Sequence, residues 1–280
     1  MAESVALTEA FIERYPESAA SVLVTADPAE TAGLLDAVPP AVAARVLACT
    51  GSWPAARALR CMTPAAAVGV LAGMGDVDAA AVLRIIDPAE RQPILDAAPA
   101  RLRRQMDFLL DYPPGTVGAH MTTSIVMISE DTSAAAALKA VRGSRAAVVD
   151  VFFVVAPTTE PLGAVSAAAL LQAPASAALG TIADRAFPVL PARTSLVAAA
   201  TDELWRDYHV VGIVNRRRCL VGALTRRTLD AFARDVATRP VDGDASLLGA
   251  MSGAMVESLG GLWRLIGEVE SDTSPPSGSE

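Results

Sequence analysis

Helix-starting residues recur at a fixed interval through the first part of this chain, and this regularity limits its fold more than any other feature. Pro40, Pro64 and Pro88 lie 24 residues apart. A second set with the same period falls midway between them: Pro28, Ser52, Asp76 and Ala100. Each half-period of about 12 residues fits one short helix and its turn. Because stacked short helices must each cover a neighbour's apolar face, the spacing predicts a short right-handed α-solenoid over residues 18–112, after an N-terminal segment, residues 1–17.

The repeat is also visible in the residues themselves. Asp27–Pro39 (D-P-A-E-T-A-G-L-L-D-A-V-P) matches Asp87–Pro99 (D-P-A-E-R-Q-P-I-L-D-A-A-P) at an offset of 60 residues. In each copy the aspartate is placed to cap a helix, the proline takes the first helical position, and the glutamate can reach back to the cap. The D-P-A-E quartet therefore predicts a helix start.

Acidic residues at these helix starts allow two interpretations. One is capping and a favourable interaction with the helix dipole. The other is that some of them also line a site for a hydrated divalent cation, since Mg²⁺ prefers carboxylate oxygens and keeps several of its waters. The residues concerned are Asp27, Glu30, Asp76, Asp78, Asp87 and Glu90.

Composition argues against several classes of protein. The chain of 280 residues has a net charge of −8 and a pI near 4.9, which argues against binding to nucleic acid. Its two histidines provide no His-rich zinc site, and its three cysteines form no CxxC pair, as expected in a reducing compartment. The sequence contains no Ser/His/Asp set and no phosphate-binding loop of the G-x-x-x-x-G-K type. We therefore expect a protein that is not an enzyme.

Hydropathy predicts no membrane span. The most apolar stretch, Ala146–Ala156, has 11 residues and contains Asp150, whereas a bilayer requires roughly 20 apolar residues. The N-terminus lacks the basic and then apolar order of a signal peptide. The sequence thus predicts a cytoplasmic protein without a transmembrane segment.

A break in composition at Asp111–Ser124 (D-Y-P-P-G-T-V-G-A-H-M-T-T-S), called here the linking segment, separates two architectures. Two prolines and a glycine within it end the helical part. Beyond it, β-branched runs at Val148–Val155 and His209–Val214 each follow a helical pattern. Each run is followed by a turn and a second short strand, at Leu162–Ser166 and Cys219–Thr225. The second half is therefore predicted to be a tandem of two helix–strand–turn–strand–helix units.

These residues resemble a known family. The opening M-T-T-S-I-V-M-I-S-E-D-T-S, with G-A-V-S and G-A-L-T closing the two strand pairs, resembles a tandem of CBS domains (a Bateman module), with repeats at residues 113–182 and 183–240. Y-P-P-G-T-V-G-A-H-M-T-T after a helical repeat is similar to the junction in the MgtE family of magnesium transporters and channels. There a helical superhelix precedes a CBS pair. The resemblance covers about residues 18–240 and implies a multidomain α and α/β fold, without the membrane domain of the transporter.

What this resemblance implies is a regulatory magnesium-sensing module. In the family, Mg²⁺ bound by acidic residues between the helical domain and the CBS pair favours a compact state, and CBS pairs form dimers. The resemblance thus implies a homodimer through the CBS pair and a separate transporter or other protein as partner. The acidic residues that we take as candidate metal ligands are Asp87, Glu90, Asp96, Asp111, Glu130 and Asp131.

A second hypothesis is a sensor of an adenosine nucleotide. Nucleotide-binding CBS domains usually carry G-h-[S/T]-x-x-D, whose hydroxyl and carboxylate contact phosphate and ribose. Ser166 and Thr225 match the hydroxyl, but Ala169 and Thr228 stand at the aspartate positions. Arg226 belongs to an arginine cluster that is either solvated or pairs with a phosphate or an acidic partner surface. Ser166, Thr225 and Arg226 are therefore the candidate nucleotide contacts. A third hypothesis is a scaffold that binds a partner peptide in the solenoid groove.

The C-terminal part carries one further amphipathic pattern. Within residues 241–268, apolar residues at helical spacing predict a helix that packs on the CBS pair or its dimer mate, or that docks on a membrane or a transporter. Residues 269–280 are predicted to be a disordered tail.

Overall fold

The computed structural model describes residues 9–237 apart from Gly143, Arg145, Ala147 and Val149, with side chains as far as Phe232. The predicted C-terminal helix and tail therefore lie outside the described residues. Residues 9–229 belong to one compact unit. Within the described part, no helix is both long and apolar enough to cross a membrane.

Eight helices follow one another from Pro16 to Leu110, each starting 12 residues after the one before it, after a helical segment at residues 9–14. This confirms the predicted period. The helices are α1 (Pro16–Thr25), α2 (Pro28–Asp36), α3 (Pro40–Thr50), α4 (Ser52–Cys61), α5 (Pro64–Gly73), α6 (Asp76–Ile85), α7 (Pro88–Ala97) and α8 (Ala100–Leu110).

Each of these helices packs mainly against the helix two places further along the chain. The odd-numbered and even-numbered helices therefore form two layers. Small side chains allow this packing, because a Cβ atom added at Gly73 of α5 would lie only 2.9 Å from the Cβ of Ala44 in α3. Ala43, Ala55 and Leu59 are fully buried between the layers. The alanine-rich composition is thus explained by close helix contacts.

The two D-P-A-E quartets do not act alike. Asp27 caps α2 by accepting hydrogen bonds from the backbone N–H groups of Ala29 (2.8 Å) and Glu30 (3.3 Å). Asp87 makes no side-chain capping bond at the start of α7. Glu90 does not reach back to a cap but forms an ion pair with Arg60 at 2.7 Å. The capping prediction is therefore confirmed for Asp27 and wrong for Asp87, where the position of the helix start is still correct.

Two three-stranded sheets follow the linking segment. The strands are β1 (Met127–Ser129), β2 (Val151–Val155), β3 (Pro161–Ser166), β4 (Val189–Pro191), β5 (Val210–Val214) and β6 (Leu220–Thr225). In each sheet the first strand is parallel to the second, and the second is antiparallel to the third. We call β1–β3 with their helices the first β unit, and β4–β6 with theirs the second β unit.

The helices of the two units lie between and after these strands. They are α9 (Ala134–Arg142), α10 (Ala167–Gln172), α11 (Leu179–Ile182), α12 (Leu196–Ala200) and α13 (Arg226–Ala237). The helical pattern that precedes the second β-branched run covers Ser195–Asp207, and it is in fact α12 followed by a 3₁₀ turn at Glu203–Arg206. The short strands β1 and β4 are additions to the predicted pattern, since three residues are too few to show an alternation.

The two sheets share one core. Phe153 of β2 packs in a cluster that also contains Val210 and Ala223 of the second unit. Its neighbour Phe152 points to the opposite face of the sheet, where it packs with Ala137 of α9. Since successive side chains of a strand alternate between faces, one β2 strand serves both the contact between the units and the helices of its own unit.

Candidate functional site

The linking segment is fixed along its length to the second β unit. The N–H of Val117 donates to the carbonyl of Thr194 (2.9 Å), and the N–H of Gly118 donates to the carbonyl of Ala192 (2.8 Å). Further on, Thr122 exchanges two backbone hydrogen bonds with Ala223 of β6, at 2.8 and 2.9 Å. The segment is thus an added edge of the second β unit and not a free tether.

The helical array holds the other side of the same segment. The guanidinium of Arg84 in α6 donates to the carbonyls of Leu109 and Tyr112, the latter at 2.9 Å. These bonds satisfy carbonyls at the C-terminal end of α8, which have no partner within the helix. Burial, and then the charge of Arg91, lower the pKa of the Arg84 guanidinium.

Asp76, the first residue of α6, is the main polar contact between the helical array and the linking segment. Its carboxylate accepts hydrogen bonds from the hydroxyl of Thr122 (2.9 Å), the N–H of Thr123 (2.6 Å) and the hydroxyl of Thr123 (2.8 Å). Gln105 of α8 donates to it at 3.3 Å. Asp76 is partly buried, and hydrogen bonds to a charged acceptor are the stronger kind. One carboxylate therefore joins α6 and α8 to the edge of β6.

The predicted metal ligands lie at several separate places. Glu90 is paired with Arg60, and Asp96 is paired with Arg103 at 2.9 Å. Asp111 follows the end of α8, while Asp87 precedes α7. Glu130 and Asp131 lie in the turn between β1 and α9.

Four of these carboxylates have no hydrogen-bond or ion-pair partner among the described residues: Asp87, Asp111, Glu130 and Asp131. In the same part of the chain, no three His, Cys, Asp or Glu side chains are gathered into a group that could hold a metal ion. The metal assignment of all six residues stays a prediction.

A cleft of about 280 Å³ lies between the two β units. Residues from both units line it: Val151, Ala164, Val165, Ser166, Ala169, Ile182, Asp184, Phe187, Asp207, Tyr208, His209 and Val210. Of the predicted nucleotide contacts, only Ser166 is among them. The Ser166 hydroxyl accepts from the N–H of Ala169 at 3.1 Å and so caps α10. The other two lie elsewhere in the second unit, where Thr225 bonds Thr228 at 2.9 Å and Arg226 donates to the carbonyl of Trp205 at 3.1 Å.

Asp184 is held firmly at the cleft wall. Its backbone exchanges two hydrogen bonds with Ala164 of β3, at 2.8 and 3.1 Å. This close approach requires a glycine, because a Cβ atom at Gly163 would lie 2.5 Å from the Asp184 carbonyl oxygen. The Asp184 carboxylate accepts from the N–H of Ala186 (2.9 Å) and from the hydroxyl of Tyr208 (3.1 Å).

Aromatic rings form the neighbouring wall. Phe187 packs edge-on against Phe153 at 5.6 Å and against Tyr208 at 5.3 Å between ring centroids. The hydrogen bond to Asp184 is the main cause that raises the pKa of the Tyr208 phenol, followed by burial and the charges of Asp184 and Asp207. Tyr208 thus stays a neutral donor to Asp184 over the physiological range.

Sequence profiles of known domains match most of the described chain. The MgtE intracellular N domain matches residues 14–115, and the CBS domain matches residues 117–176. The chain contains an MgtE N domain followed by CBS domains. A comparison with proteins of curated function finds no match.

Solved structures share this architecture. The cytosolic domain of the Mg²⁺ channel MgtE, crystallised in complex with ATP, is 21% identical in sequence, with a TM-score of 0.74 over 80% of this chain and 93% of that chain. The soluble part of a magnesium transporter is 18% identical, with a TM-score of 0.70 over 85% of this chain and 100% of that chain. At these identities the likeness concerns the fold, which is an MgtE N domain joined to a CBS pair.

Sequence patterns alone do not identify several residues of the site. Asp184, Phe187 and Tyr208 lie in and after the connection between the two CBS repeats, where the sequence has no motif that marks them. Asp76 was noticed only as a helix-start residue. The glycine in each strand-closing G-A pair was the one available signal, because a glycine within a strand often marks a close backbone approach.

Proposed function

We propose that this chain is a non-enzymatic regulatory module in which binding of a divalent cation, Mg²⁺ in the first place, stabilises the association of the MgtE N domain with the CBS pair. The observation that carries the proposal is the Asp76 contact. Through this contact the linking segment is bonded to both domains. A ligand that favours their association can therefore shift the arrangement of one domain by binding to the other.

Charge supports a cation as the signal. The chain carries a net charge of −8, and the carboxylates of Asp111, Glu130 and Asp131 have no described partner. The adjacent carboxylates of Glu130 and Asp131 lie in one turn and repel each other, and a divalent cation reduces that repulsion. Oxygen ligands of this kind, with several retained waters, are those that Mg²⁺ prefers. The two similar solved structures come from a Mg²⁺ channel and a magnesium transporter, which agrees with this choice.

Thermal unfolding at constant ionic strength tests the proposal. Mg²⁺ at millimolar concentration should raise the Tm of the chain, because a ligand selective for the native state stabilises it. The double variant Glu130→Gln, Asp131→Asn should lose most of that rise, whereas Asp36→Asn, which removes one charge from the end of α2, should keep it. An unchanged Tm in Mg²⁺, with no heat of binding in calorimetry, would refute cation sensing.

A second candidate function is favoured by the cleft between the β units. We propose that this cleft binds an adenosine compound, since it combines an aromatic wall, apolar strand residues and a few fixed polar groups, as small-molecule sites usually do. The related MgtE cytosolic domain was crystallised in complex with ATP. Calorimetric titration with adenosine compounds tests it, and loss of the signal in Tyr208→Ala would assign binding to this cleft.

We also propose that two copies associate through their CBS pairs, as CBS pairs of the resembled family do. Sedimentation equilibrium would show a dimer mass; a single monomeric species at micromolar concentration would exclude it.

A further inference from the structure

The cleft between the β units has an unusual charge for a nucleotide site. Its charged and titratable lining groups are Asp184, Asp207, Tyr208 and His209, and none of the described residues that line it is Lys or Arg. His209 is bonded to the carboxylate of Asp150 beside the cleft. The described lining thus presents two carboxylates, Asp184 and Asp207, and no lysine or arginine to a ligand.

Three arginines next to residues of the cleft are bonded elsewhere. Arg185 and Arg206 adjoin Asp184 and Asp207 in the chain, and the backbone N–H of Arg226 bonds the carbonyl of His209. Arg185 donates to the carbonyl of Gly180 at 3.3 Å, and Arg206 pairs with Glu203 at 3.3 Å. Arg226 donates to the carbonyl of Trp205. None of these three guanidinium groups lines the cleft, so none is placed there to form the bidentate contact that phosphate recognition uses.

The polar groups at the wall are mainly acceptors. An ionised carboxylate offers about four lone-pair positions, and Asp184 uses one oxygen for Ala186 and the other for Tyr208. Asp207 makes no side-chain hydrogen bond within the part of the chain that the structure describes. Both carboxylates can therefore accept further bonds from amine or hydroxyl groups of a ligand.

The size and lining of the cleft agree with a small ligand that has an aromatic face. Its volume of about 280 Å³ is just below the range of roughly 300–1,000 Å³ that is usual for small-molecule pockets. Phe187 and Tyr208 give it an aromatic wall, and Val151 and Val210 give it an apolar floor. This size suits a nucleoside better than a nucleotide with an extended phosphate chain.

From these observations we infer that the cleft selects a phosphate-free planar heterocycle rich in hydrogen-bond donors, of the nucleoside class, and discriminates against nucleoside polyphosphates. The inference rests on the second candidate function above and specifies its ligand. The donors of the base and the ribose hydroxyls would bond the carboxylates of Asp184 and Asp207, while each added phosphate charge would be repelled by them.

The experiment is a calorimetric titration of the full chain with adenosine, AMP and ATP in metal-free buffer at low salt. Adenosine should bind with a Kd at least ten-fold lower than that of AMP, and ATP should bind more weakly still. Asp207→Asn should reduce the ratio of the Kd of ATP to the Kd of adenosine, because it removes a charge that repels phosphate. The position is exposed, so the substitution should not disturb folding. Asp36→Asn, which removes the same charge in α2, should leave the ratio unchanged.

Three outcomes overturn the inference. Binding of ATP or AMP as tight as that of adenosine would refute the selectivity and leave an adenosine nucleotide as the ligand. Adenosine binding that survives Tyr208→Ala unchanged would place it outside the cleft. Absence of binding by all three compounds would refute both the inference and the second candidate function. Since the buffer contains no Mg²⁺, none of these results bears on cation sensing.

Discussion

The two β units have the same strand order and the same irregularity of register, yet they use one equivalent position in different ways. In each unit a G-A pair of the closing strand receives an incoming backbone segment. In the first unit Ala164 pairs with Asp184, and in the second Ala223 pairs with Thr122. The close approach is also equivalent, since an added Cβ would lie 2.5 Å from the Asp184 carbonyl oxygen at Gly163 and 2.6 Å from that of Thr122 at Gly222.

The difference lies in what the incoming residue binds. Asp184 directs an exposed carboxylate to an open cleft, with Tyr208 as its side-chain partner. Thr122 is buried and directs its hydroxyl to Asp76 of the helical array. A position that is open to a ligand in one unit is therefore used in the other to attach a second domain. The same structural position thus provides a candidate ligand site in one unit and an attachment to the helical array in the other.

The largest expected effect concerns the second of these positions. Asp76→Ala removes the acceptor of three hydrogen bonds, which come from the Thr122 hydroxyl and from the N–H and hydroxyl of Thr123. These donors then lie in a partly buried place without that acceptor. Hydrogen bonds to a charged group contribute roughly 1.5–3 kcal/mol each and are not additive, so we expect the free energy of unfolding to fall by about 2–4 kcal/mol. Urea unfolding at constant m-value measures this loss.

Two variants show whether the contact itself is responsible. Asp76→Asn keeps the shape and one acceptor and should cost less than Asp76→Ala. Glu17→Ala removes an exposed first-turn carboxylate from α1, where only the interaction with the helix dipole is lost, about 0.3–1 kcal/mol. Equal losses for Asp76→Ala and Glu17→Ala would mean that Asp76 acts only as a helix-start residue, and the proposed connection would fail.

A smaller effect is expected at the two equivalent glycines. Gly163→Ala and Gly222→Ala each force a methyl group into a backbone carbonyl, and overpacking of this kind costs about 1–3 kcal/mol. Gly222→Ala should in addition reduce protection of the linking segment in hydrogen exchange, whereas Gly163→Ala should affect the connection around Asp184. Gly33→Ala in α2, where nothing lies within 4 Å of the added atom, should instead stabilise the chain by about 0.5–1 kcal/mol. If Gly163→Ala and Gly222→Ala changed hydrogen exchange in the same segments, the two positions would not differ in what they hold, and the comparison of the two units would be contradicted.

Sequence reasoning was most successful where the signal is local and repeated. The 12-residue spacing gave the starts of α2 to α8, because each start depends on residues close to it in the chain. The G-A pairs were recognised as strand ends, but their partners, Asp184 and Thr122, are 20 and about 100 residues away in the chain. Such a pairing depends on how the units pack against other segments. Helical periodicity and capping are local patterns and do not predict it.

The candidate site was harder to predict for the same reason. The motif of nucleotide-binding CBS domains pointed to Ser166, which does line the cleft, and equally to Thr225, which instead bonds Thr228. The two positions match the same part of the motif, and a different segment packs beside each of them. Carboxylates were chosen as metal ligands by residue type alone, and Glu90 and Asp96 turn out to have arginine partners.

The smallest expected effect tests the open position in the first unit through the ionisation of Tyr208. Because the hydrogen bond to Asp184 raises its pKa, the folded chain holds the phenol proton more tightly than the unfolded chain does. The associated stability is therefore fully present below the unfolded pKa of about 10 and is lost as the pH rises through the folded pKa. Asp184→Asn should lower the pKa of Tyr208 towards its ordinary value. Ultraviolet titration of tyrosinate measures this, with Tyr208→Phe to separate Tyr208 from Tyr15 and Tyr112 and Asp36→Asn as the charge control. If Asp184→Asn left the pKa of Tyr208 unchanged, the two side chains would not be coupled. Asp184 would then not be a preformed hydrogen-bond acceptor at the cleft wall.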